Sequence, residues 1–146
     1  MTEMTELRKG GSWLFEETAA TDVFTPEKLT EEHRLIAQTT EQFVENEVMP
    51  NLDRMEQKDW ALARQLLHRC AELGLLGVGV PEQYGGLDLD KASALVVVER
   101  IARSASFATT FGGQANLCTL PLLLFGTSEQ KEKYLPKLLS SEMVGA

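Results

Sequence analysis

Only two of the 146 residues are cysteine, Cys70 and Cys118, and no Cys-x-x-Cys spacing occurs. That excludes a disulfide framework and fits two free thiols in a reducing compartment, the cytoplasm. Histidine is as scarce: His33 and His68 lie at no metal-ligand spacing from each other or from a cysteine, so no metal site is expected. Positive charge is in deficit. Fourteen Lys and Arg stand against 22 Asp and Glu, a net charge of −8. Neither the basic footprint of a nucleic-acid binder nor a polybasic lipid-binding cluster is present. No apolar run approaches the ~18 residues needed to cross a bilayer. The opening Met1-Thr2-Glu3-Met4-Thr5-Glu6 is acidic with no apolar stretch behind it, unlike a signal or transit peptide. Internal repeats and low-complexity stretches are also missing.

What remains is ordinary for a globular protein: 43% apolar and 25% charged residues, enough to build one domain with a real core. Residues 1–29 read as an arm, and residues 30–146 as the domain. In the arm, Gly10-Gly11-Ser12 is flexible. The apolar triplet Trp13-Leu14-Phe15 that follows is expected to dock on its own domain or a later part of the chain. Thr25-Pro26 has the form of a helix start.

From residue 30 the periodicity is helical. Thr30 can cap a helix whose apolar stripe runs through Leu35, Ile36, Thr39, Phe43, Val44, Val48, Leu52 and Met55, with Pro50 expected to kink or split it. Asp59 caps a second, with Trp60, Ala63, Leu66, Leu67, Cys70 and Ala71 as its buried stripe and Gly74 as its stop. Leu75 to Val80 reads as a buried extended segment leading into a Pro/Gly turn. Its Gly77-x-Gly79 lacks the third glycine of a phosphate loop, since position 82 is Glu. Asp90 caps a third helix, apolar nearly all round and so expected to be covered on several sides. A fourth, from about Ser106 to Phe125, is almost uncharged, and a helix without a polar face belongs inside a larger body. Thr127-Ser128-Glu129-Gln130 fits a capping box for the last helix, with a break expected at Pro136. The fold class is therefore all-α, a helical bundle of about five to six helices.

Chemistry is sparse. No nucleophile is paired with a base, and no phosphate loop is complete. Glu99 is the one carboxylate set in an apolar helix. Either it is a buried acid or base, or it is an ion pair with its neighbour Arg100, and the ion pair is preferred.

Two segments resemble a known family. Leu73-Gly74-Leu75-Leu76-Gly77 followed by Val80-Pro81-Glu82-Gln83-Tyr84-Gly85-Gly86 resembles the "ELGL…PE.YGG" pattern of the acyl-CoA dehydrogenases. Gly126-Thr127-Ser128-Glu129-Gln130-Lys131-Glu132-Lys133-Tyr134-Leu135-Pro136-Lys137-Leu138 resembles that family's "GT.EQK.KYLPKL" helix. Between them Glu99-Arg100-Ile101-Ala102 takes the place of "EE.A", with Arg where a second acid is common. The resemblance covers about residues 30 to 146, and Lys9 to Glu17 is similar to longer bacterial members near the very-long-chain branch.

The resemblance implies a three-part enzyme: a helical N-terminal domain, a β middle domain and a helical C-terminal domain. It implies FAD as cofactor, an acyl-CoA thioester as substrate and electron-transfer flavoprotein as electron acceptor. It also implies a homo-oligomer when full length. In that family a carboxylate takes the α-proton while the β-hydrogen leaves as hydride to the flavin. The middle-domain "Y.LTEP..GSD" motif and the catalytic glutamate lie beyond this chain. No catalytic or cofactor-binding residue is therefore assigned, and the chain alone is expected neither to bind FAD nor to be active. Its share would be a wall of the acyl-tail cavity, formed by Phe111, Gly112, Gly113, Gln114, Leu117 and Cys118. Paired glycines in a helix cost about 1 kcal/mol each against alanine. Room for a long acyl chain would offset that, and so would close helix–helix contact. Tyr84-Gly85-Gly86 reads as a structural turn. The competing readings are a stand-alone helical acyl- or protein-binding module, and a family relative turned to oxidase chemistry.

Overall fold

The computed structural model describes Phe15, Glu17, Ala19, Thr21 and residues 23–145. Among these residues the chain forms five helical rods and no strand. The first rod joins α1 (Glu31–Phe43), a π turn (Val44–Val48), a 3-10 turn (Met49–Asn51) and α2 (Leu52–Glu56). Then come α3 (Trp60–Glu72) and α4 (Lys91–Ile101). The fourth rod joins α5 (Ala105–Gly112), a second π turn (Gly113–Cys118) and α6 (Thr119–Phe125). The last is α7 (Ser128–Leu139). A short 3-10 turn at Pro26–Lys28 follows Thr25, as the Thr-Pro pair predicts.

Local chemistry sets the helix starts. The backbone N–H groups of His33, Leu62, Ser93 and Gln130 donate to the side chains of Thr30, Asp59, Asp90 and Thr127. Each cap satisfies a donor that the first turn otherwise leaves open. Gly74 stops α3 in the left-handed region, at φ 74°. Pro50 interrupts the first rod as expected: α1 ends at Phe43 and α2 begins at Leu52, with Asn51 between them outside the helical region (φ −110°, ψ 11°). Pro50 has no N–H for the Asn46 carbonyl, and its ring crowds that turn, so the backbone widens to a π turn over Val44–Val48. Pro136, in contrast, does not break α7, contrary to expectation. Buried Leu135, Leu138 and Leu139 on either side of it anchor the last turn to the core.

α1 and α4 pack along each other, and a side-chain clamp joins their N-termini. The Thr30 N–H donates to His33 Nδ1 at 3.0 Å, which leaves the proton on Nε2. His33 Nε2 donates in turn to Asp90 Oδ1 at 2.9 Å. The Ser93 N–H, the His33 ring and the Ser93 hydroxyl hold the Asp90 carboxyl down at about 2, well below its ordinary 3.8. The core behind this pair centres on Phe107, fully buried against Phe43 (ring centroids 5.8 Å apart) and Phe111 (6.5 Å). Val44, Val48, Leu67, Cys70, Val97 and Ile101 close around it. Each such side chain contributes roughly 1.5–3 kcal/mol on leaving water. Burial also pushes the Cys70 thiol well above the usual range, the state of an inert core cysteine.

The structure corrects several sequence expectations. Leu35 is exposed, and buried His33 and Thr40 take up the α1 inner face instead. Trp60 is 73% exposed, and Leu62 fills the α3 stripe in its place. Leu75–Val80 is buried apart from Gly79 but not extended. Leu75–Gly77 is a 3-10 turn, tied to the returning chain by Leu87 N–H to Gly77 O (3.0 Å) and Leu89 N–H to Val78 O (2.8 Å). α4 is not covered all round, since Leu95 and Val98 face outward. In the arm, Trp13 and Leu14 lie outside the described residues, and Phe15 is exposed and not docked on this domain. Glu99 is exposed and sits 3.2 Å from Arg100, the ion-pair reading.

Candidate functional site

The fourth rod carries the six positions read from sequence as a ligand wall. Ser104 caps α5, accepting from the Phe107 N–H at 3.3 Å. Further along, Pro121 has no N–H to offer the Leu117 carbonyl, and the helix widens into the Gly113–Cys118 π turn before it. The Thr119 hydroxyl donates to the Gln114 carbonyl at 2.8 Å, bridging the widened turn. At roughly 100° per residue, consecutive positions 111 to 114 cannot share one stripe, so the six positions spread around the helix.

Phe111 is in the core. Gly112 and Gly113 stand open: a Cβ built on either meets nothing within 4 Å. Close helix–helix contact within this chain is therefore not what these glycines serve. Gln114 points inward and is 1% exposed. Its amide Nε2 donates to Leu138 O (2.7 Å) and Met143 O (2.8 Å), and its Oε1 accepts from the Gly145 N–H (2.8 Å). Leu117 is 77% exposed. Cys118 is half-buried and lies against Gly145.

Two hollows adjoin this rod. Phe111 and Ala115 reach a cleft of about 60 Å³ shared with Val78, Val97 and Val98. That is far below the ~300 Å³ of a small-molecule site. A larger groove of about 400 Å³ runs between Met55, Trp60 and Ala63 on one side and Ser106 and Thr109 on the other. It holds none of the six positions. More telling is the apolar surface without cover: Leu95 and Val98 on α4, and Leu117, Leu124 and Phe125 on the fourth rod. Among the described residues no cluster of three or more His, Cys, Asp or Glu could hold a metal ion. No described helix is long and apolar enough to cross a membrane.

A flavin-phosphate cradle on the glycine-bearing loop would need free backbone N–H groups. The N–H groups of Gly77, Val80, Gly85 and Gly86 all donate to carbonyls of this loop or of Gly74 beside it. Gly86 is packed so tightly that a Cβ would lie 1.9 Å from the Val80 carbonyl oxygen. With those donors engaged, the Gly85–Gly86 turn offers a flavin's phosphates no cradle, and these residues do not fit the cofactor by themselves. The Tyr84-Gly85-Gly86 turn is architectural.

A family model described as acyl-CoA dehydrogenase, N-terminal domain, matches residues 30–142. The chain belongs to the acyl-CoA dehydrogenase family. It is 43% identical over 141 residues to a probable acyl-CoA dehydrogenase of Bacillus subtilis (strain 168), covering 97% of this chain and 24% of that protein. It is 36% identical over 120 residues to mitochondrial isovaleryl-CoA dehydrogenase of Pongo abelii, covering 81% of this chain and 28% of the relative. Among solved structures, an acyl-CoA dehydrogenase from Bacillus anthracis complexed with FAD superposes with a TM-score of 0.89. It is 46% identical, over 95% of this chain and 24% of its own. The chain thus spans about a quarter of the length of these relatives. The all-α architecture is that of the acyl-CoA dehydrogenase N-terminal domain.

Sequence reasoning missed two features of this site. The Gln114 hub joins residues 24 to 31 positions apart, and the His33–Asp90 clamp spans 57. Local pattern carries no signal for either partner, although both caps in the clamp were legible one at a time.

Proposed function

We propose that residues 30–146 act as the N-terminal domain of a FAD-dependent acyl-CoA dehydrogenase that oxidises fatty acyl-CoA thioesters at the α,β bond. Residues 1–29 form an arm to it. The domain's part is a wall of the cavity that takes the acyl tail, its open face at Gly112, Gly113 and Leu117, with Phe111, Gln114 and Cys118 holding the helix from behind. The flavin and the reacting carbons belong to parts of the enzyme that this domain does not supply. Electron-transfer flavoprotein as acceptor, a homo-oligomeric enzyme and a cytoplasmic location complete the proposal.

One observation carries the reading: two adjacent glycines inside a helix, each costing about 1 kcal/mol against alanine, with no neighbour in this chain that needs them small. Family membership supplies a ligand with a flexible apolar tail that would use such a space. The isovaleryl-CoA relative shows that short branched acyl groups occur as substrates in the family, so tail length is the point to test. In an enzyme carrying this domain, Gly113→Leu fills the space. The expected result is a fall of tenfold or more in kcat/KM on long-chain esters relative to short-chain ones, the scale of a few misplaced methylenes. An unchanged ratio would sink the cavity reading.

A further inference from the structure

We infer that Gln114 is a positioning residue whose carboxamide ties Met143–Gly145 to the second π turn and so fixes the course of the chain after α7. Three observations carry this. The side chain is almost wholly buried, and a buried amide is costly unless its donors and acceptor are matched. It is matched in full: both Nε2 protons go to carbonyls, of Leu138 and Met143, and Oε1 takes the Gly145 N–H, all at 2.7–2.8 Å. The three partners lie on both sides of the end of α7, so a single side chain holds the last turn and the segment beyond it together.

The seat is shaped as well as bonded. A Cβ built on Gly145 would lie 2.4 Å from Cys118 Sγ and 2.7 Å from Cys118 Cβ, so only glycine lets the backbone come this close to the π turn. Gln114 and Cys118 are four residues apart on the widened turn, and both face this segment. The π turn and the segment after α7 therefore move as one unit. The inference stands on these contacts alone and survives if the acyl-tail reading fails.

The test is amide hydrogen exchange on the 15N-labelled 146-residue chain. Gln114→Met keeps the volume and removes all three bonds. The Gly145 amide is expected to lose about tenfold or more of its protection, as for one lost hydrogen bond at a buried group, while the amides of Leu135 and Leu138 keep theirs. Gln114→Glu keeps an acceptor for the Gly145 N–H but at neutral pH sets a carboxylate against the Leu138 and Met143 carbonyls, and their repulsion is expected to unseat the segment and lower protection at Gly145 as well. It should regain protection at Gly145 on acidification, once the acid can donate. A side chain that merely fills space would show no such pH-dependent recovery. Should Gln114→Met fail to fold, Gly145→Ala perturbs the seat from the other side. It is expected to free the residue-145 amide, and Cys118→Gly in the same chain should restore it. Unchanged protection at residue 145 in the variants that fold would overturn the inference.

Discussion

Val44–Val48 and Gly113–Cys118 are both π turns, and each lies just ahead of a proline, Pro50 and Pro121. The cause is shared: an N–H is missing and a ring crowds the preceding turn. The surroundings differ. The first turn is sealed on its inner side, with Val44 and Val48 fully buried in the core, and its exposed residues, Glu45 and Asn46, are polar. The second stays open on its outer side, with bare Gly112–Gly113 at its start and Leu117 in solvent, and is held from within by Gln114 and the Thr119 hydroxyl. π turns are frequent where helices serve function. The pair shows that the distortion alone assigns no role, whereas what lies around it does. A turn filled by its own chain is architecture, and a turn left empty is available to something else.

The sharpest way to break this contrast is to truncate both turns. Val48→Ala should cost about 2–3 kcal/mol, from two methyl groups plus the cavity left behind. Leu117→Ala should stay within about 0.5 kcal/mol, as an exposed position does. Chemical denaturation of the two variants checks this, and equal losses would erase the distinction. A smaller effect is expected where the two regions end. α3 on the sealed side closes on Gly74 at φ 74°, whereas the chain after α7 passes through Ser141 at φ 59° with its hydroxyl buried and unpartnered. Ser141→Gly should therefore stabilise by about 1 kcal/mol, read as a raised thermal midpoint, and Gly74→Ala should lower it.

Smaller again is Gly112→Ala. With nothing near the new methyl group, only helix propensity acts, and a gain of up to ~0.8 kcal/mol is expected in this chain. A loss would mean that the space is already filled. The smallest effect concerns acid. Because the Asp90 carboxyl is held below its ordinary value, its contribution is complete above pH 3.8 and lost as pH falls through about 2. Asp90→Asn should flatten that part of the stability–pH curve and leave the second π turn untouched. Since the Asp90 side chain is largely exposed, solvent screening keeps the change small.

Much of the bundle was legible in sequence because its signals are local. Thr30, Asp59, Asp90 and Thr127 cap within three residues of themselves, and Gly74 stops its helix by its own φ. Proline effects were harder to read. Pro50 and Pro121 act on carbonyls four residues back, and whether a helix breaks, widens or runs straight on, as at Pro136, depends on what packs beside it. Burial was misjudged at Leu35, Trp60, Leu95 and Val98, because a stripe read from one helix says nothing about how wide its partners are. At the site, the glycine pair could be seen in the sequence but its emptiness could not. The inward turn of Gln114 depends on carbonyls that no spacing rule connects to it.

The central claim is that the open side of the second π turn is a wall for an acyl tail. The most direct measurement is a crystal structure of an enzyme carrying this domain with a long-chain acyl-CoA analogue bound. The account predicts tail carbons within van der Waals distance, ~4 Å, of the Gly112 and Gly113 Cα atoms. Side chains from elsewhere in the enzyme filling that space, with the tail held apart from it, would contradict the account.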